Sequence, residues 1–312
     1  MKVKNIFSTQ TAAFQLFFLI MLMFISLFLF TIIGHILAQL FYGINILLID
    51  TNNINASSID FSNICNSLLT LQFFSQIGLF IIPSILFFFL VRNDNLFSIP
   101  KTKISFVLFS LSIAIILFSL PAIQKMIEWN EAIKLPRIFS GIEIWMKTSE
   151  GKAERLTDLF LMRSLISSYL LNIIVIGIVP AVGEEMAFRG ILQPLFTRWI
   201  KRKHLAVIIT AILFSAMHLQ FYGFFPRLFL GIVLGYMFLW SKSLWFPILA
   251  HFVNNFISIT VGFLFASGYI KTNYKDFGTT NNIIMVIMSI ISIFVILYFY
   301  RQNSKKSTIY KV

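Results

Sequence analysis

The sequence predicts an all-α fold, a polytopic transmembrane helical bundle of about eight spans with an intramembrane polar site, and three observations predict it. Of 312 residues, 58% are hydrophobic and only 12% charged, with 37 Phe, which is more apolar surface than a soluble domain buries. Several apolar runs exceed the roughly 18 residues that mark a membrane span. The net charge of +13 is carried in short basic segments beside those runs. That is the pattern of the positive-inside rule rather than of a nucleic-acid-binding face. No nucleic-acid partner is expected. The partner that composition implies is membrane lipid.

Lys2 and Lys4 precede the first apolar run, about Ala12 to Ile49. It is longer than a signal-peptide core of roughly 7–15 residues and holds no small-residue cleavage site, so it reads as a first span that stays attached. The loop from Asp50 to Ser67 has no Lys or Arg, and its Cys65 is the only cysteine, which excludes an intramolecular disulfide. Spans of about Leu68 to Val91 and Ile104 to Leu120 follow, separated by Arg92, Lys101 and Lys103, and the second stops at Pro121. From Ala122 to Asp158 six basic residues balance six acidic ones, interleaved with Trp129, Ile133, Ile144 and Trp145. That mixture predicts amphipathic helices lying on the outer interface.

Leu159 to Trp199 is apolar apart from Arg163, Asn172 and one acidic stretch. It reads as one long, broken helix or as two short spans. The single helix keeps Arg198, Lys201, Arg202 and Lys203 cytoplasmic and is preferred. Arg163 is expected to snorkel to the outer interface and Asn172 to bond a neighbouring helix. Further spans run from about His204 to Leu219, Pro226 to Trp240 with Lys242 in a short turn, Leu244 to Phe265 and Asn282 to Tyr300, before a basic tail. The scheme is a multi-pass cell-membrane protein with both termini cytoplasmic, and Lys271 and Lys275 in an outside loop weigh against it. Four regions follow: N-terminal transmembrane helices over 1–121, an interfacial segment over 122–158, a core over 159–265 and a last span with its tail over 266–312.

The core is organised around Pro180-Ala181-Val182-Gly183-Glu184-Glu185-Met186-Ala187-Phe188-Arg189. An intramembrane charge costs on the order of 2.5–3.5 kcal/mol even on translocon scales, so such residues usually face inward and serve a function. Pro180 lacks a donor and Gly183 frees the chain, so a helix break is expected, with a new helix starting near Glu184. Glu185 and Arg189 are spaced to pair across one turn, whereas Glu184 has no such partner. Two histidines lie at comparable depth. Counted from the basic helix ends, the glutamates fall roughly 20 Å in, His218 about 21 Å, His251 about 10 Å and Asn255 about 16 Å. His251 and Asn255 share one helix face. His35 and His204 read as structural, one with only Gln39 at helical spacing and the other beside interfacial lysines.

These residue types fit hydrolysis. A carboxylate and an imidazole together bind and deprotonate water, and a second His with an Asn donates hydrogen bonds to the oxyanion of a scissile carbonyl. Glu184, His218 and His251 are alternatively a set that holds Zn²⁺ with an open position. The residue types alone leave both open. There is no HExxH, no Gly-rich phosphate loop and no Ser nucleophile elbow.

Glu184-Glu185-Met186-Ala187-Phe188-Arg189 resembles an EExxxR motif, Phe214 to His218 an FxxxH motif and His251 to Asn255 an HxxxN motif. In this order they resemble the CPBP intramembrane proteases, which include type II CAAX prenyl endopeptidases, lysostaphin-resistance-like proteins and bacteriocin self-immunity proteins. The resemblance covers about Leu159 to Phe265. It implies that Glu184 and His218 activate water, that His251 and Asn255 stabilise the oxyanion, and that Glu185 and Arg189 form a structural pair. The activity it implies is that of a membrane endopeptidase, with a protein or peptide substrate as partner, membrane-anchored substrates included. The competing readings are a non-proteolytic immunity or scaffold protein and a proton-coupled transporter. A transporter is expected to show two similar halves, whereas here the polar residues at membrane depth gather in the second half.

Overall fold

The computed structural model describes residues 5–49, 54, 60–91 and 105–309. The Arg92 to Lys103 loop, most of the Asp50 loop, Lys2, Lys4 and Lys311 lie outside the described residues. Among those described, every regular element is helical, and seven helices are long and apolar enough to cross a membrane. An eighth apolar helix is shorter, which agrees with about eight spans.

Helix α1 (Ala12–Tyr42) starts where the Thr11 side chain accepts the Phe14 N–H and ends at Gly43, whose φ of +70° suits a residue without Cβ. The first apolar run therefore stops being an α-helix before Ile49, and a 3₁₀ turn over Ile46–Leu48 follows. Helix α2 (Phe61–Leu90) begins earlier than hydropathy indicated and packs along α1.

Helix α3 (Phe106–Glu131) passes straight through Pro121, where a stop was expected. The repair comes from Ser289, whose hydroxyl donates to the Phe118 carbonyl at 2.5 Å and accepts the Ala122 N–H at 3.3 Å. A neighbouring helix thus supplies the hydrogen bonds that a proline disrupts. The first part of the expected interfacial segment, 122–131, is consequently a continuation of α3, and most of the rest is helix α4 (Ser140–Leu161).

Helices α5 (Ile166–Ile200), α6 (Lys203–Ala216), α7 (Phe224–Ser241), α8 (Trp245–Ala266) and α9 (Ile283–Ile309) complete the chain. Lys242 lies in the short turn between α7 and α8, as expected. Asn172 donates to the Phe160 carbonyl at the end of α4, also as expected. Arg163 does not snorkel: it is buried and donates to Asn66 at 3.0 Å and Ser62 at 3.1 Å on the first turns of α2. Lys275, in the loop between α8 and α9, pairs with Glu154 and Asp158 of α4.

The burial pattern is that of a membrane protein. Phe24 (68% exposed) and Leu40 (73%) face outward, while Glu185, Arg189, Gln193 and His251 are buried. One apolar core, with Leu19, Phe87, Phe188 and Phe214, joins α1, α2, α5 and α6, and a second, with Ile115, Leu234 and Tyr300, joins α3, α7 and α9. Asn5 and Phe7 hydrogen-bond the backbone at the end of α2, and Arg198 at the end of α5 reaches Gln15 at the start of α1. Arg301 of α9 lies over Trp240 at the end of α7. Both described ends of the chain therefore lie at the same end of the bundle.

Candidate active site

Helix α5 carries the site and is continuous, so the expected break at Pro180 does not occur. Two π turns, Ile173–Ile178 and Met186–Leu192, widen the helix instead, and the regular stretch Val179–Glu185 lies between them. Each is followed two residues later by a proline, Pro180 or Pro194, and the π turn Ile77–Ile81 of α2 is followed in the same way by Pro83. A π turn gives up the i→i−4 ladder for i→i−5 bonds, such as Val179 N–H to the Ile174 carbonyl, and so accommodates a residue with no N–H. Glu184 and Glu185 are thus in the middle of a helix and not at an N-terminus. Gly183 is needed for contact: a Cβ there would sit 3.0 Å from the Phe80 Cβ.

Pro180 cannot donate to the carbonyl of Ile176, four residues earlier. Asn255 of α8 supplies a donor from its side-chain amide at 3.2 Å. The Asn255 Oδ1 accepts from Asn254 at 3.4 Å. One N–H of the Asn255 amide is therefore used by α5 and the second is left for another acceptor.

Glu185 and Arg189 are fully buried, 2.6 Å apart, and form the expected pair. The guanidinium also donates to the Gly231 carbonyl of α7 at 3.0 Å and lies 4.6 Å from the Phe214 ring centre. One turn further on, Gln193 makes the equivalent bond to the Gly235 carbonyl, a contact that nothing in the sequence pattern indicated. His251 of α8 comes to the same carboxylate, its Nδ1 3.0 Å from Glu185 Oε1. Its Nε2 stands 3.9 Å from Oε2 of Glu184. Glu184 is 5% exposed, and its Oε2 is buried with no hydrogen-bond partner.

His218 is placed differently from the sequence expectation. Helix α6 ends at Ala216, so His218 lies in the turn beyond it and is exposed, its Nδ1 2.9 Å from the Phe214 carbonyl. At 14 residues α6 is about 21 Å long, short of the roughly 30 Å hydrocarbon core, so this turn lies at membrane depth. Irregular backbone there is tolerated where it lines a cavity. The turn does so through Gln220 and Gly223. Phe214 separates the two histidines, its ring 5.2 Å from that of His218 and 5.8 Å from that of His251.

The cavity, about 510 Å³, reaches the site at Asn255 and Ile176, and its mouth is formed by Glu150 and Glu154 of α4, Gln124 of α3 and Lys275. Lys275 binds Glu154 at 2.7 Å and Asp158 at 2.9 Å, Tyr274 donates to Asp158 at 2.7 Å, and Gln124 donates to the Phe277 carbonyl at 2.9 Å. The loop before α9 is thereby strapped across the mouth. Burial holds the Glu150 carboxyl above its usual range, while Arg227 opposes that shift.

His251 therefore stands beside both glutamates, Asn255 lies one turn further along α8 against the Ile176 carbonyl, and His218 lies beyond ion-pair distance of both glutamates. Among the described residues no three His, Cys, Asp or Glu side chains stand at metal-ligand spacing. Of the three residues of the possible Zn²⁺ set, Glu184 and His251 are adjacent and His218 stands apart from both glutamates.

Residues 166–257 match the family model for type II CAAX prenyl endopeptidase Rce1-like proteins. The match begins at the first residue of α5, ends two residues beyond Asn255 and contains all three motifs, consistent with the CAAX protease resemblance. At the family level it supports a CAAX-type intramembrane endopeptidase. No curated protein and no solved structure matches the chain.

Proposed function

We propose that this protein is a membrane endopeptidase that hydrolyses a peptide bond within or near the bilayer, with Glu184 as general base. The observation that carries this reading is the contrast between the two carboxylates. Glu185 is engaged through Oε1 by both Arg189 and His251, whereas Glu184 has its nearest ionisable neighbour, His251 Nε2, at 3.9 Å; the Oε2 of each carboxylate is buried without a hydrogen-bond partner, and only that of Glu184 faces His251 Nε2. A carboxylate in that position is free to take a proton from water, and the resulting hydroxide adds to the scissile carbonyl.

Glu185 accepts from His251 Nδ1, so that nitrogen carries hydrogen and Nε2 faces the reacting centre. A protonated His251 donates from both nitrogens, to Glu185 and to the oxyanion. The second N–H of Asn255 supplies another donor. Collapse of the tetrahedral intermediate breaks the C–N bond, and the leaving amine takes the proton held by Glu184. His218, whose Nδ1 is engaged by the Phe214 carbonyl, keeps Nε2 for the same proton transfer once substrate fills the cavity. The test is hydrolysis of a bilayer-anchored peptide by the purified, reconstituted protein. Cleavage is expected from wild type and not from a Glu184→Gln variant of equal melting temperature, and equal cleavage by both would refute the role of Glu184.

A further inference from the structure

The bundle is charge-polarised. Glu128, Glu131 and the carboxylates of α4 cluster with basic residues at one end, and beyond Glu185 the only acidic residue in the sequence is Asp276, in the loop at that same end. At the opposite end the α5–α6 and α7–α8 turns and the last turns of α9 bring Lys201, Arg202, Lys203, Lys242 and Arg301 together, and no carboxylate occurs on α6, α7, α8 or α9. Partial burial and the neighbouring Lys203 push the Lys242 ammonium below its ordinary value.

A ladder of rings runs through this cationic end. His204 of α6 faces Tyr236 of α7, ring centres 5.7 Å apart, with its Nδ1 3.1 Å from the Tyr236 hydroxyl. Tyr236 contacts Trp240 at 5.1 Å, and the Arg301 guanidinium of α9 lies 5.9 Å from the Trp240 ring centre. Rings with polar tips flanked by cations suit the level where acyl chains give way to phosphates.

We propose that this strip, from Lys203 along Tyr236 and Trp240 to Arg301, binds the headgroups of anionic phospholipids. Arg301 grips phosphate through paired N–H donors, Lys203 supplies a point charge at the other end, and the rings cover the glycerol region. The proposal rests on the multi-pass membrane assignment and is independent of the proteolytic reading.

Native mass spectrometry of the purified full-length protein, offered phosphatidylglycerol or phosphatidylcholine of identical chains, tests it. Wild type should retain phosphatidylglycerol over phosphatidylcholine by on the order of tenfold, and the Lys203→Gln/Arg301→Gln variant by no more than about twofold. Lys134→Gln/Arg137→Gln removes the same charge from exposed positions at the other end and should keep the full preference. Lys203→Arg, which keeps the charge and leaves the Arg301 fork in place, should retain the preference, and equal melting temperatures of wild type and the Lys203→Gln/Arg301→Gln variant guard against a folding defect. Equal retention of both lipids by wild type, equal losses in both Gln variants, or displacement of the lipid by excess inorganic phosphate would overturn the proposal.

Discussion

His251 hydrogen-bonds Glu185 through Nδ1 at 3.0 Å and stands 3.9 Å from Glu184 through Nε2. The two carboxylates, adjacent in sequence, are thereby given different work. Glu185 neutralises Arg189 and orients the imidazole, and in the proposed mechanism Glu184 is the base.

Glu185→Gln should lower folded yield and melting temperature, because removing one partner of a buried ion pair costs roughly 3–5 kcal/mol. Arg189→Gln should behave alike, and the double variant should lose less than the two single losses added. Thermal melting in detergent measures this. A Glu185→Gln variant that melts as wild type would remove the structural role.

In the proposed mechanism Asn255 has two tasks, bonding Ile176 and donating to the oxyanion, and a second-site change separates them. Asn255→Ala should cost about 1 kcal/mol by leaving the Ile176 carbonyl without its side-chain donor. Pro180→Ala restores an intrahelical N–H, so in that background Asn255→Ala should cost little stability while hydrolysis remains lost. An undiminished stability loss would show that the bond to Ile176 is not what Asn255 contributes to folding.

The spans and the three motifs were legible because hydropathy and residue spacing are local properties. The π turns were not, since a proline in an apolar run reads as a break until the widened turn before it is seen. The three prolines that follow π turns leave a trace in sequence only in retrospect. Sequence alone gives Gly183 the reading of a residue that frees the chain, but its requirement comes from Phe80, about 100 residues away, and proximity of that kind has no local signature. The short α6, which puts His218 in a turn, and the burial of Arg163 against Ser62 and Asn66 are likewise tertiary outcomes.

The strap across the cavity should loosen in alkali. Burial opposes the Lys275 charge, but Glu154 and Asp158 outweigh it and hold the ammonium above its ordinary 10.5. Burial, then Asp158, hold the Tyr274 hydroxyl above its ordinary 10.0. Both folded values are raised, so both contributions are complete below the unfolded values and fade as pH rises beyond about 10. Distances between spin labels at residues 147 and 272, in a Cys65→Ser background, should be narrow at about pH 8 and broad at about pH 11. Lys275→Met should be broad at both. A narrow distribution for Lys275→Met would mean that these ion pairs do not hold the strap.

The proposed orientation puts both termini and the cationic end in the cytoplasm, following the positive-inside rule. In intact cells an impermeant thiol reagent should label Lys134→Cys and leave Arg202→Cys unlabelled, each in the Cys65→Ser background. The opposite pattern would invert the protein in the membrane.

The most direct test of Glu184 as the base that activates water is a comparison of new peptide termini, in ¹⁸O-water, among membranes carrying wild type, Glu184→Gln and Glu185→Gln at equal folded abundance. The account predicts a set of new C-termini bearing ¹⁸O with wild type and none above background with Glu184→Gln, while Glu185→Gln keeps part of the set. The same termini from Glu184→Gln as from wild type, or a normally folded but silent Glu185→Gln beside an active Glu184→Gln, would contradict it.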